Sequence, residues 1–275
     1  MHGYNPDMKR IGITFLFWMV CLASLASNPF WVQMDKKILK QLNELDKADP
    51  SQVESFFLQH RRNPEKVNLG FGWSLWNTRI GGGYISLSAV IIYHNDSIIS
   101  YRMYSDLPND KKLIGKYTKW FEKTFDVDSG KVKPYRYRES SLFKPLAEYD
   151  GPLTTQEVSH EVLTYMTPYS GTTYGYAGGY SGELLSNREE FISIEPGLSS
   201  EKAILLMYSI NPASRLTAIE YYKKHKDKFR NQRQVEDWIE QVYKEVPTVE
   251  TLFGCSRETK ESRYLVEYYS RIKEE

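Results

Sequence analysis

Hydrophobic and polar positions alternate most regularly between Tyr84 and Tyr104, in the run YISLSAVIIYHNDSIISYRMY. Two arms rich in Ile, Val and Tyr flank the polar stretch His94-Asn95-Asp96-Ser97, a pattern that predicts a β-hairpin. Side chains alternate faces along a strand, so Ile85, Leu87, Ala89, Ile91 and Tyr93 share one face of the first arm. Tyr84, Ser86, Ser88, Val90 and Ile92 share the other. One face is apolar throughout and the other becomes so towards the turn, so helices from either side in sequence are expected to cover it.

Helical spacing appears on both sides of this hairpin. Met34, Ile38, Leu42 and Leu45 predict a first helix, and Asp49-Pro50-Ser51-Gln52 opens a second whose inner stripe is Val53, Phe56, Phe57 and His60. His60 is expected to pack at the end of that helix, which Arg61-Arg62-Asn63-Pro64 stops. A helix over 111–125 places Ile114, Tyr117, Trp120, Phe121 and Phe125 on one side. Thr154 or Thr155 is read as the cap of a helix through Met166. Beyond Ser199 the pattern is helical: a helix over 201–209, one from Asn211-Pro212 to about His225, one carrying Val235, Trp238, Ile239, Val242 and Tyr243, and a last one over 260–273. Pro247 ends the third of these.

The predicted fold is therefore α+β: a small antiparallel sheet built on the central hairpin at 84–104, with flanking helices and a helical C-terminal third. Three segments are expected. Residues 1–26 are read as a signal peptide, 27–198 as an α+β core with an N-terminal helical hairpin, and 199–275 as a helical subdomain packed on that core.

The N-terminal reading rests on Met8-Lys9-Arg10 followed by the apolar run Ile11 to Leu22 and small residues at Ser24 and Ala26. Cleavage is expected after Ala26, with Met1 or Met8 as the start, and the run of 16 residues from Ile11 to Ala26 falls short of the roughly 20 needed to span a bilayer. The mature chain is thus expected to be exported, periplasmic or secreted, without a membrane span. With residues 1–26 removed, Cys255 is the one remaining cysteine and no internal disulfide forms; a buried apolar role is expected for it.

Charge adds little. The 36 basic and 35 acidic side chains nearly cancel, so no global field draws the chain to polyanions. One local cluster stands out: Lys223, Lys224, Lys226, Lys228, Arg230 and Arg233 with only Asp227 among them, read as a solvated helix end.

Motifs that carry chemistry are mostly missing. His160-Glu161 lacks a second histidine at zinc-binding spacing, no Cys-x-x-Cys occurs, and Gly81-Gly82-Gly83 is read as a turn because no phosphate-loop pattern surrounds it. Neither a metal nor a cofactor is expected. Ser141-Leu142-Phe143-Lys144 has the Ser-x-x-Lys spacing of penicillin-interacting enzymes, but no Lys-Thr-Gly or Lys-Ser-Gly follows it.

Two stretches point to recognition. Tyr169, Tyr174, Tyr176 and Tyr180 lie among five glycines in 169–186, and tyrosines on such a loop can stack on sugar rings or bases. Tyr135, Arg136, Tyr137 and Arg138, behind Lys131-Val132-Lys133-Pro134, interleave cations with aromatics on an expected edge strand. Tyr174, Tyr176, Tyr180 and Tyr135 to Arg138 are therefore the candidate ligand-binding residues. The expected function is that of an exported, non-catalytic binding or envelope-associated protein. Its expected partner is a glycan, another extracytoplasmic polymer or an envelope protein rather than nucleic acid. A hydrolase of wall polymer or glycan and an assembly partner without a small ligand are the alternatives.

Overall fold

A computed structural model of the chain describes residues 28–60 and 65–272. The expected signal peptide, the Arg61–Pro64 helix stop and the end of the final helix at Lys273 lie outside the described residues. The fold is α+β, with nine α-helices among the described residues and a five-stranded antiparallel sheet around the central hairpin.

The sheet order is β1 (Val67–Gly70), β2 (Trp73–Gly81), β3 (Ser86–His94), β4 (Ser97–Ser105) and β7 (Tyr135–Tyr137). β3 and β4 form the expected hairpin, and its turn uses Asn95 and Asp96, both in the left-handed region, as a two-residue hairpin turn requires. The burial follows the alternation: Leu87, Ala89, Ile91 and Tyr93 are buried, as is Ile92 near the turn on the other face. β7 is an edge strand, and Pro134 stands just before it. The basic stretch that was expected to form one strand is split, because Lys131–Val132 (β6) pairs instead with Val127–Asp128 (β5).

The chain forms two compact units. Among the described residues the first holds 28–60, 79–88 and 103–135, and the second holds 65–78, 89–102 and 136–272. In the first unit, α1 (Pro29–Asn43) begins earlier than its apolar stripe indicates, because Asn28 caps it and Pro29 fits its first turn. α2 spans Pro50–His60 and buries Val53, Phe56 and Phe57, with the His60 ring against Phe56. α3 (Lys111–Phe121) packs on α1 and buries Leu113, Tyr117 and Phe121.

The polar centre of this unit is Asp35, fully buried on α1. Its carboxylate accepts hydrogen bonds from the Gly83 N–H at 2.5 Å, the Tyr84 N–H at 2.9 Å and the Tyr117 hydroxyl at 2.5 Å. The triple-glycine turn ahead of β3 is thus held from below. A Cβ at Gly83 would collide with the Trp31 backbone, so the glycine is needed for close approach.

The second unit is organised around α7 (Pro212–Lys224), buried on every side from Pro212 to Tyr222. Helices α5 (Ser186–Ile194), α6 (Ser200–Leu206) and α9 (Ser262–Arg271) all pack on it. A helix with Ser, Arg, Thr and Glu can be buried all round only if most of its polar groups find partners, and here Arg215 Nε and Nη1 make no hydrogen bond among the described residues. Ser214 Oγ donates to the Tyr165 carbonyl at 2.6 Å, and Arg215 Nη2 donates to the carbonyls of Leu69 at 2.6 Å and Ile210 at 2.7 Å.

Three expectations in this unit are corrected. The helix expected from Thr154 is only His160–Tyr165 (α4): Glu157 takes the Thr154 hydroxyl and N–H into a turn of their own, and Ser159 supplies the cap. The C-terminal third also holds a hairpin, β10 (Thr248–Phe253) and β11 (Ser256–Glu261), so the last helix starts at Ser262. Cys255 sits exposed in the turn of that hairpin instead of being buried. A thiol so placed is expected to react fully with an aqueous thiol reagent in the folded protein, and protection lifted only by denaturant would contradict the placement.

Candidate functional site

The tyrosines of the glycine-rich segment have different fates. Tyr174 is 1% exposed, Tyr176 is 40% exposed and Tyr180 is 100% exposed at the tip of the small hairpin β8 (Ala177–Gly178) and β9 (Glu183–Leu184). Tyr169 packs under the Arg102 guanidinium, 3.5 Å from its ring centre. Tyr174 is part of the interior: its hydroxyl donates to Glu220 Oε2 at 3.1 Å, and its ring meets Tyr269 edge-on. The segment is also tied to the β10–β11 hairpin, through the Tyr174 N–H to the Glu250 carbonyl and the Gly179 N–H to the Gly254 carbonyl. It therefore presents Tyr180 and half of Tyr176, not a row of tyrosines.

What fixes the segment is a buried ion pair. Arg188 on α5 meets Glu220 on α7 through two hydrogen bonds, at 2.6 and 3.2 Å, while Arg188 Nε donates to the Gly175 carbonyl at 3.0 Å. Lys224 adds a second cation 3.1 Å from Glu220. Burial opposes the Glu220 charge, but Arg188 and Lys224 outweigh it and hold the carboxyl below its ordinary value. Burial, and then the Glu220 charge, push the Tyr174 phenol up.

A depressed carboxyl contributes stability that is fully present above its unfolded value, about 4.3, and is lost as pH falls through the lower folded value. Wild-type stability is accordingly expected to fall between about pH 5 and pH 3 more steeply than that of Glu220→Gln. Parallel curves in urea titrations across that range would contradict this assignment.

The aromatic and cationic side chains of β7 are also engaged. Tyr135 lies beside Lys47, with its hydroxyl 3.4 Å from the Lys47 carbonyl and the ammonium 5.7 Å from its ring. Arg136 pairs with Glu139 at 3.5 Å, and Tyr137 stacks on buried Tyr101 at 4.9 Å and 15°. Arg138 takes a left-handed backbone and lies over Tyr137. The cluster after α7 is partly neutralised as well: Lys223 pairs with Glu267, Lys224 with Glu220 and Lys226 with Glu236.

A different place in the second unit gathers unspent recognition chemistry. Tyr149-Asp150-Gly151-Pro152, the α6 residues Ser200, Glu201 and Ile204, Met207-Tyr208, and Arg230, Asn231, Gln234, Val235 and Trp238 line a cavity of about 330 Å³. Trp238, on α8 (Gln232–Glu245), stacks on Tyr208 with ring centres 4.0 Å apart and planes 9° apart. Its indole N–H donates to the Met207 carbonyl, which fixes the ring. Tyr149 meets Tyr208 edge-on at 5.2 Å, and Phe71 stacks on Trp238 at 5.4 Å. Burial, and then Asp150, push the Tyr208 phenol up to about 12, so it stays a neutral donor at all ordinary pH.

The rim is polar. Asp150, Glu201, Arg230 and Gln234 line it, and Asn231 takes a left-handed backbone at the start of α8 without making a side-chain cap. An apolar aromatic wall with a few polar groups of both charges suits a ligand with a flat apolar face and many hydroxyls. None of the aromatics lining this cavity is among the residues that the sequence marks as ligand contacts, because they lie on three segments far apart in the chain.

Among the described residues no group of three His, Cys, Asp or Glu side chains is placed to hold a metal ion. Among the same residues, no helix is long and apolar enough to cross a membrane. Compared with protein-family models, with curated proteins and with solved structures, the chain matches none.

Proposed function

We propose that the chain is an exported, non-catalytic binding protein, periplasmic or secreted, that holds a glycan or related extracytoplasmic polymer at the Tyr149–Tyr208–Trp238 cavity. One observation carries this reading: the fixed Tyr208–Trp238 stack forms a wall of a cavity whose rim offers carboxylates, a guanidinium and amides together. A sugar ring lays its C–H face against the edge that such an aromatic wall turns to the cavity while its hydroxyls bond to the polar rim. Tyr180 and Tyr176 are left as a second contact for a longer polymer.

The experiment is a titration of a panel of neutral and acidic oligosaccharides, followed by tryptophan emission. Binding to the wild-type chain is expected, weakened by about tenfold or more in Trp238→Phe and Tyr208→Ala. Unchanged affinity in both variants would remove the cavity from the reading.

Asp150 and Glu201 on one rim favour hydrolysis of a glycan as the second reading. Glycoside cleavage needs one carboxyl kept protonated. Glu201 is not suited to that part, because its own backbone N–H and the Ser199 hydroxyl hold its carboxyl below the ordinary value. Oligosaccharides incubated with the protein are thus expected to be recovered intact by mass spectrometry. Shortened products that Asp150→Asn abolishes would establish the hydrolase instead.

A further inference from the structure

Phe30, Trp31 and Met34 are 64%, 45% and 36% exposed on one face of α1, although each is a side chain that burial would favour. Two features of the first unit bear on what covers them. The first is sequence continuity. Residues 11–34 contain no Asp, Glu, Lys or Arg, and Lys9-Arg10 stand just before them. The exposed face thus closes an uncharged stretch that opens just after two cations. The second is charge. Trp31 packs edge-on against Tyr84 at 5.3 Å, and Tyr84 and Gly83 line an open cleft of about 900 Å³ with Arg79, Lys111 and Lys131 against only Asp106. Arg79 donates to the Ser86 hydroxyl at 3.0 Å, and none of the three cations has a carboxylate partner among the described residues. Lys36 and Lys37 are exposed on α1 itself.

We propose that this face of α1 lies on an anionic phospholipid surface, with Phe30, Trp31 and Met34 at the acyl boundary and the cations of the adjoining cleft against lipid phosphates. Aromatic side chains concentrate at the membrane interface because they combine an apolar body with a polar edge, and lysine and arginine reach past them to the headgroups.

The test uses the full chain as isolated from the producing cell, mixed with vesicles of phosphatidylglycerol and phosphatidylcholine whose acyl chains carry bromine. Bromine quenches tryptophan by contact. The expected result is quenching of the wild-type chain that drops in Trp31→Phe, since that substitution removes one reporter, whether or not residues 1–26 are retained. The lipid concentration needed is expected to rise by about tenfold in Lys111→Glu/Lys131→Glu and in Phe30→Ser/Met34→Ser. Equal quenching in wild type and Trp31→Phe would overturn the proposal. So would self-association in the absence of lipid that Phe30→Ser/Met34→Ser abolishes, because a second copy would then cover the face.

Discussion

Arg188→Ala is expected to destabilise the protein by roughly 3–5 kcal/mol, with a fall of about 10 °C in thermal midpoint. The side chains of Arg188 and Glu220 are almost wholly buried, and Arg188 also satisfies the Gly175 carbonyl. Removing it leaves a carboxylate inside the protein with Lys224 as its remaining cation, and leaves a carbonyl without its donor. The loss should therefore exceed that of removing both charges together. Arg188→Met combined with Glu220→Gln is expected to be milder than Arg188→Ala alone, because neither of the two almost wholly buried charges remains and Lys224 is partly exposed. Urea unfolding of the three proteins checks the order. If the single variant proves no worse than the pair, the ion pair does not hold α5 to α7 in the way described.

Asp35→Ala is expected to cost about 3 kcal/mol, because three donors converge on this one buried carboxylate. The Tyr117 hydroxyl would lose its acceptor in the interior, and the Gly83 and Tyr84 N–H groups would lose theirs beside the open cleft. Asp35→Asn should fall between, since its amide keeps one acceptor oxygen but turns an NH2 towards donors. The effect should be local as well as global: hydrogen exchange at Gly83 and Tyr84 is expected to accelerate in the alanine variant under native conditions. Exchange there at the wild-type rate would show that the glycine turn is held by something other than Asp35.

The contrast between these two polar centres and the sequence that encodes them explains what could be read beforehand. The hairpin of β3 and β4 was legible because its burial follows a period of two, and α8 because Val235, Ile239, Val242 and Tyr243 follow a period of 3.6. α7 showed only a weak stripe in Leu216, Ile219 and Tyr222, since a helix buried all round has no polar face to set a period against. The β10–β11 hairpin was hidden for the opposite reason. Arg257, Glu258, Lys260 and Glu261 make β11 a charged strand without an apolar alternation, and the run leads straight into the true helix at Ser262.

The candidate site was harder still. Clusters that are local in the chain, such as the tyrosines of 169–186 and the cations of 131–138, stand out in the sequence. The structure spends Tyr174 on Glu220 and Tyr137 on Tyr101, and brings together Tyr149, Tyr208 and Trp238, which no spacing connects. Asp35 and Arg188 were equally silent. A charged residue that will be buried looks like any surface residue until its partners are known, and these lie 48 residues or more away for Asp35 and 32 away for the Glu220 carboxylate that meets Arg188.

The most direct measurement is hydrogen exchange across the whole chain with and without an oligosaccharide that binds. Protection is expected in residues 149–152, 200–208 and 230–238, the segments that line the aromatic cavity. Protection confined to 169–186 or 131–138, or none on any segment at saturating ligand, would contradict the placement of the binding site.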